Sequence, residues 1–277
     1  MLVRKYGAGK KTVILVHGGP SLYGYMETLG KELQDDFIVV DYAQRGTFNS
    51  PVHGPITVNT HLDDLLEIVK ENAKGSKAII IGHSWGANVA LLAAAESSDD
   101  IEKLILIGTS ALNDELSDKH QDSLNSRYTD AVKRKLSEIQ NQLEKELTID
   151  EVNEVMELRL SLTSPFYHLD SKVEELLPEL KWNFKTFRQS IDSLWDLIDS
   201  GNIPSILKRI KVPVIAYQGD SDPFPYKETF EFLSENILNI KTYKIENSGH
   251  FPWLEPTSRY QFLSLLRDEL KIESPKR

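Results

Sequence analysis

The sequence predicts an α/β fold: a doubly wound, mostly parallel sheet interrupted by an inserted helical segment. Three observations lead there. Residues 12–16, 37–41, 78–81 and 103–107 are short runs nearly continuous in Val, Ile and Leu, as expected of strands buried on both faces. Helical spacing fills the gaps between them, which implies right-handed βαβ units. Strand character then vanishes over 111–205 and returns at 212–218 and 240–245.

The elements follow in chain order. Leu62, Leu65, Leu66 and Val69 recur at helical intervals within 60–73, and the Ala- and Leu-rich stretch 86–96 reads as a second helix. Over 111–205 the periodicity is helical, as with Ile191, Leu194, Trp195 and Ile198. A last amphipathic helix is expected over 257–271, with Pro256 in its first turn. The expected organisation is one α/β core, residues 1–110 and 206–277, carrying an insertion over 111–205.

Composition narrows the function classes. The 277 residues hold 32 basic against 42 acidic side chains, net −10. A nucleic-acid binder usually needs a basic face, so no nucleic-acid partner is expected. Of that excess, −8 falls within 111–205, where 19 acidic residues face 11 basic ones. With no Cys, disulfides, thiolate zinc sites and a Cys nucleophile are excluded together. No apolar run approaches the roughly 20 residues that span a bilayer, and Leu2, Val3, Arg4 and Lys5 do not open a signal peptide. A soluble cytoplasmic protein without a membrane partner is the expectation.

The chemistry concentrates in loops after strands. Gly82-His83-Ser84-Trp85-Gly86 is G-x-S-x-G between a buried strand and a helix. A serine nucleophile needs that sharp turn, since it lifts the hydroxyl clear of the sheet at the N-terminus of a helix. Ser84 is therefore the candidate nucleophile. Acyl transfer also needs donors aimed at the developing oxyanion. The Trp85 backbone N–H is one. The second should come from His17-Gly18-Gly19-Pro20-Ser21, and Gly19 is preferred because Pro20 has no N–H. Gly-Gly-Pro is also ordinary turn punctuation.

Of seven histidines, His250 is best placed as general base, in the loop after the last strand. That is the carboxyl edge of the sheet, where open α/β folds bind ligands. His17 is read as orienting the oxyanion loop, and the His83 side chain as pointing away from Ser84. His53, His61, His120 and His168 have no partners at metal spacing. No metal or organic cofactor is implied. The base needs an orienting carboxylate, and spacing leaves Asp220 and Asp222 both open. Gly7-Ala8-Gly9-Lys10-Lys11-Thr12 lacks phosphate-loop spacing and precedes a strand.

The chain order Ser, Asp, His, each just after a strand, resembles the α/β-hydrolase superfamily over essentially the whole chain. Within it, His17-Gly18-Gly19-Pro20, Gln44-Arg45-Gly46 with Ser50 following, and G-x-S-W-G at 82–86 resemble the proline iminopeptidase branch. The resemblance implies Asp222 as the acid of the triad, a cap or lid formed by 111–205, and a leading β-hairpin reduced or missing here. The chain departs from that branch at Ser21, Ala43, Phe48 and His83.

The expected activity is a serine hydrolase acting on a small ester, amide or related acyl compound, with a small molecule or short peptide as substrate. A proline iminopeptidase-like aminopeptidase is the alternative, and a non-catalytic binding protein on the same fold the remote one. In the peptidases, cap carboxylates hold the substrate amine. Glu138, Glu144, Glu151, Glu154, Glu157, Glu174 and Glu175 are the candidates, although charge along a helix is first of all a solvated face. Trp182, Phe184, Phe187 and Trp195 read first as the cap's own core and second as pocket wall. Arg45 reads as an anchor within the fold.

Overall fold

A computed structural model describes residues 1–177 and 183–271. Seven strands form one sheet in the order β1-β3-β2-β4-β5-β6-β7. They are β1 (Leu2–Tyr6), β2 (Lys11–Val16), β3 (Phe37–Ala43), β4 (Ala78–His83), β5 (Ile101–Ile107), β6 (Val214–Gly219) and β7 (Ile240–Ile245). β1 runs antiparallel to β3, and every other pairing is parallel.

Burial on both faces explains why the strands read as continuous apolar runs. Ile14 stands opposite Ile80, Ile80 opposite Leu104, and Leu104 opposite Val214. That row packs on one face beneath α2 (Val58–Ala73) and α3 (Trp85–Glu96). The alternate residues Val13, Ile79, Ile81, Ile105 and Ile215 pack on the other face. They meet α1 (Glu27–Leu33) and α11 (Arg259–Leu270) there. Pro256 lies in a turn ahead of α11, not within its first turn.

β1 has no counterpart among the expected strands. It is an edge strand whose residues are alternately exposed and half-buried, and Arg4 reaches across it to Asp41 at 2.7 Å and Glu27 at 2.8 Å. Two charged residues in five hide a strand that pairs on one side only.

Between β5 and β6 the chain forms α4 (Asp114–Arg127), α5 (Asp130–Leu143), α6 (Ile149–Thr163), a 3-10 turn (Ser164–Phe166), α7 (Lys172–Leu176), α8 (Phe184–Asp199) and α9 (Ile203–Leu207). Side-chain caps start several of them: Asn113 accepts the Leu116 N–H, Thr148 the Glu151 N–H, and Asn183 the Thr186 N–H. α9 straddles 205/206, and its Ile203 and Leu207 join the core beneath α3. α10 (Tyr226–Asn236) connects β6 to β7.

Strand order fixes where a site can lie. The chain passes outward from β2 to β3, then crosses back to place β4 on the far side of β2. The crevice at the carboxyl ends of β2 and β4 is a topological switch point.

Candidate active site

Ser84 occupies that switch point. It links β4 to α3 with φ 54° and ψ −124°, backbone space that L-residues seldom enter and that costs on the order of 1–3 kcal/mol. The neighbouring glycines let the turn form. A Cβ on Gly86 would stand 2.1 Å from the Val16 carbonyl oxygen, and one on Gly82 would stand 2.5 Å from that of Gly86. The Ser84 N–H donates to the Ile107 carbonyl at 2.9 Å, which fixes the turn on β5.

Ser84, Trp85, Gly19 and His250 all line one cavity of about 430 Å³, roofed by α4, α6 and α8. That volume lies within the range of small-molecule sites. Asp222 sits beneath it, buried. His250 Nδ1 donates to Asp222 Oδ2 at 2.8 Å, so its proton is on Nδ1 and Nε2 is left as an acceptor. The Gln218 side-chain amide donates to the same carboxylate oxygen at 2.8 Å, and the Phe224 N–H donates to the other at 2.9 Å. Asp220 faces elsewhere. It accepts the N–H groups of Asn247 at 3.1 Å and Ser248 at 3.2 Å, clamping the loop that carries His250.

The loop after β2 is tied down by a chain of hydrogen bonds. Gln44 donates its backbone N–H to His17 Nε2 at 3.1 Å and its side-chain amide to the His17 carbonyl at 2.7 Å. The Trp85 indole N–H in turn donates to Gln44 Oε1 at 2.9 Å. Since His17 Nε2 accepts, its proton is on Nδ1, which donates to the Gly18 carbonyl at 2.9 Å. Burial pushes the His17 pKa down to about 4, keeping the ring neutral. His17 thus braces the loop bearing Gly19.

His83 is turned towards the other side of that loop. The His250 carbonyl can only accept, so His83 Nε2 carries the proton and donates to it at 2.9 Å. His83 Nδ1 then accepts from the Tyr25 hydroxyl at 2.7 Å, and that oxygen accepts the Gly18 N–H at 2.6 Å. Burial above all holds the His83 pKa well below its ordinary value.

Sequence reasoning missed the residues that pack around the loops of His250 and Asp222. The Tyr167 carbonyl accepts the His250 N–H at 2.6 Å. Glu255, fully buried, accepts N–H groups from Gly249 at 2.7 Å and Leu169 at 3.1 Å, joining the two loops. His120 stacks on Phe224 at 3.8 Å between ring centres, and burial pushes its pKa down to about 3. Arg127 donates to the carbonyls of Ser221 at 2.8 Å and Phe166 at 3.1 Å. Burial lowers the Arg127 pKa and the nearby Asp222 charge raises it, the first effect being larger. These contacts join residues far apart in sequence, and the Tyr167–His250 bond uses only backbone atoms, so no local pattern marks them.

Other expectations sort by position. None of the seven glutamates named above lines the cavity. Glu138 pairs with Lys135, Glu151 closes the capping box of α6, and Glu174 meets His168 at 2.7 Å. Phe187 and Trp195 line the cavity, and Phe184 stacks on Phe187. Trp182 lies outside the described residues. Arg45 anchors the fold through both oxygens of Asp64, at 2.6 and 2.5 Å.

Comparison with known proteins agrees with the architecture. A proline iminopeptidase of Clostridioides difficile (strain 630) is 25% identical over 268 residues, covering 91% of this chain and 87% of that protein. A thermophilic esterase from Thermogutta terrifontis superposes with a TM-score of 0.70 at 20% identity, over 98% of this chain and 92% of that one. A proline iminopeptidase of Mycobacterium smegmatis superposes with a TM-score of 0.68 at 16% identity, over 97% of this chain and 93% of that one. The family model for the alpha/beta hydrolase fold matches residues 11–257, most of the sheet and all the inserted helices. By that match the chain belongs to the alpha/beta hydrolase fold family.

Proposed function

We propose that the protein is a serine hydrolase that cleaves a small carboxylic ester or related acyl compound, with Ser84, His250 and Asp222 as its triad. The observation that carries this reading is the 2.8 Å contact of His250 Nδ1 with Asp222 Oδ2 beside a cavity that Ser84 also lines. His250 Nε2 takes the Ser84 proton as Oγ attacks the carbonyl carbon. The N–H groups of Gly19 and Trp85 receive the oxyanion. Asp222 holds the ring tautomer and steadies the imidazolium. The imidazolium gives its proton to the leaving oxygen, and the alcohol departs. His250 then deprotonates a water that attacks the acyl-enzyme, releasing the acid and restoring Ser84. The helices over 111–205 act as the cap, and 1–110 with 206–277 as the core.

An aminopeptidase is the second reading, favoured by the likeness to the C. difficile proline iminopeptidase along 91% of the chain. An N-terminal amine needs an anionic partner, and among the described residues no Asp or Glu side chain lines the cavity. That favours the ester hydrolase. A binding protein without turnover is the third reading, and it has no use for the strained backbone at Ser84.

Paired turnover of p-nitrophenyl butyrate and prolyl-naphthylamide decides among them. Ester cleavage lost by about 10⁴-fold or more in Ser84→Ala is the expected result. Ser84-dependent cleavage of the free-amine substrate alone would establish the aminopeptidase, and no turnover of either would favour a binding protein.

A further inference from the structure

The cavity wall has a charge pattern opposite to that of the segment that roofs it. That segment carries most of the chain's net charge of −10. Among the described residues, histidines aside, the one charged side chain lining the cavity is Arg159, on α6. No described carboxylate lies within ion-pair distance of it. Arg159 is also exposed, so it stands at the solvent end of the cavity.

The elements around it contribute different chemistry to the wall. α8 contributes only apolar side chains, among them Ile191, Leu194 and Trp195. α4, the Tyr128 that ends it and α6 supply the polar lining here, Asn125 and Tyr128 alongside Arg159. The Arg159 charge reaches the phenols of Tyr128 and Tyr167, partly offsetting the upward push of burial on both. A guanidinium presents a fork that matches a carboxylate through two parallel hydrogen bonds. A carboxylate leaving water for a cavity this size needs such a partner.

We propose that the natural substrate is a half-ester of a short dicarboxylic acid, its free carboxylate received by Arg159 with Tyr128 and Asn125 while its ester carbonyl meets Ser84. The inference rests on the hydrolase reading for the fate of the ester and on the cavity wall for the carboxylate. The reaction adds water across the acyl–oxygen bond and yields a dicarboxylate and an alcohol. The α8 side packs against the carbon chain between the two carboxyl groups.

The test compares mono-p-nitrophenyl glutarate with neutral p-nitrophenyl pentanoate on the wild-type chain, Arg159→Met and Arg159→Lys. Glutarate binding to the Ser84→Ala chain, with and without Arg159→Met, is measured by calorimetry. The wild type should favour the anionic ester by about tenfold in kcat/KM, carried by KM. Arg159→Met should bring the ratio close to one, and Arg159→Lys should recover part of it. Added salt should erode the preference, because the charge is exposed. A wild-type ratio near one, or one that Arg159→Met leaves unchanged, overturns the proposal while keeping the hydrolase reading. Arg159-dependent glutarate binding with no turnover of either ester supports the carboxylate site and overturns the hydrolase reading. Glutarate binding that does not depend on Arg159 counts against the site.

Discussion

The Tyr25 hydroxyl lies between two loops, 2.7 Å from His83 Nδ1 and 2.6 Å from the Gly18 nitrogen. One phenol therefore joins the loop after β2 to the residue before Ser84. Through His83 Nε2 it reaches the His250 carbonyl as well. The loops that carry Gly18, Ser84 and His250 thus share one buried hydrogen-bond chain, and on the proposed mechanism it keeps nucleophile, oxyanion site and base in register.

Tyr25→Phe should expose how much that chain holds. The ring would still fill its site, but the Gly18 N–H and His83 Nδ1 would be buried without a partner, at about 1–3 kcal/mol each. At roughly 2–4 °C per kcal/mol for a chain of this size, Tm should fall by about 5 °C or more. On the proposed mechanism activity should fall by about tenfold, as the loop bearing Gly19 loosens. Calorimetry with ester turnover checks both, and an unchanged Tm would mean that the chain carries no strain-bearing role.

Asp222→Asn and Asp220→Asn should separate chemistry from scaffolding. Asp222 touches the His250 ring, whereas Asp220 touches the backbone of 247–248. On the proposed mechanism Asp222→Asn costs on the order of 10⁴ in kcat, because the amide stabilises the wrong tautomer. Asp220→Asn should cost less than about tenfold and show itself as a lower Tm. Reversal of that order in steady-state kinetics would reassign the acid.

Gly86→Ala tests the packing beneath the Ser84 turn. The added methyl would meet main-chain oxygens of Val16 and His17 at 2.1 and 2.6 Å, atoms of a central strand and its loop that have nowhere to go. Gly201→Ala is the contrast. Its φ is +70° but nothing lies within 4 Å, so only backbone strain of about 1–2 kcal/mol is added. Gly86→Ala should fail to accumulate as folded protein, whereas Gly201→Ala should fold with a slightly lower Tm. Circular dichroism melts would contradict this if both variants behaved alike.

What the sequence revealed follows from how local each signal is. Ile14, Ile80 and Leu104 sit in runs whose two-sided burial writes a continuous apolar pattern, so the central strands were legible. G-x-S-x-G is legible because two backbone approaches each exclude a Cβ within five residues. β1 was hidden because its burial is only partial and its Arg4 is taken up by Glu27 and the buried Asp41. Spacing left Asp220 and Asp222 both open, and the family resemblance alone pointed to Asp222, since both follow the same strand and only the path of the loop turns one towards His250. Tyr25 is 58 residues from His83, and Tyr167 meets His250 through backbone atoms. No pattern in one sequence encodes either meeting.

The pH dependence of stability should be carried by buried neutral histidines. His61 is buried where α2 meets α8, its Nε2 2.8 Å from Ser190 Oγ and its ring edge-on to Trp85. Burial, reinforced by the Arg45 charge, pushes its pKa down to about 3. In the unfolded chain it takes a proton near the ordinary value of about 6.5. Between those two pKa values the unfolded state binds one more proton than the folded one. His61 therefore contributes stability fully above about pH 6.5, and loses it as pH falls, by about 1.4 kcal/mol per pH unit. His17 adds a similar slope down to about pH 4. Urea melts of the wild type at pH 7.5, 6.0 and 5.0 should show stability falling with acid. In His61→Gln the slope between pH 6.0 and 5.0 should be shallower by close to one proton. Parallel slopes for the two chains would mean that His61 is already charged in the fold, against its neutral packing on Trp85.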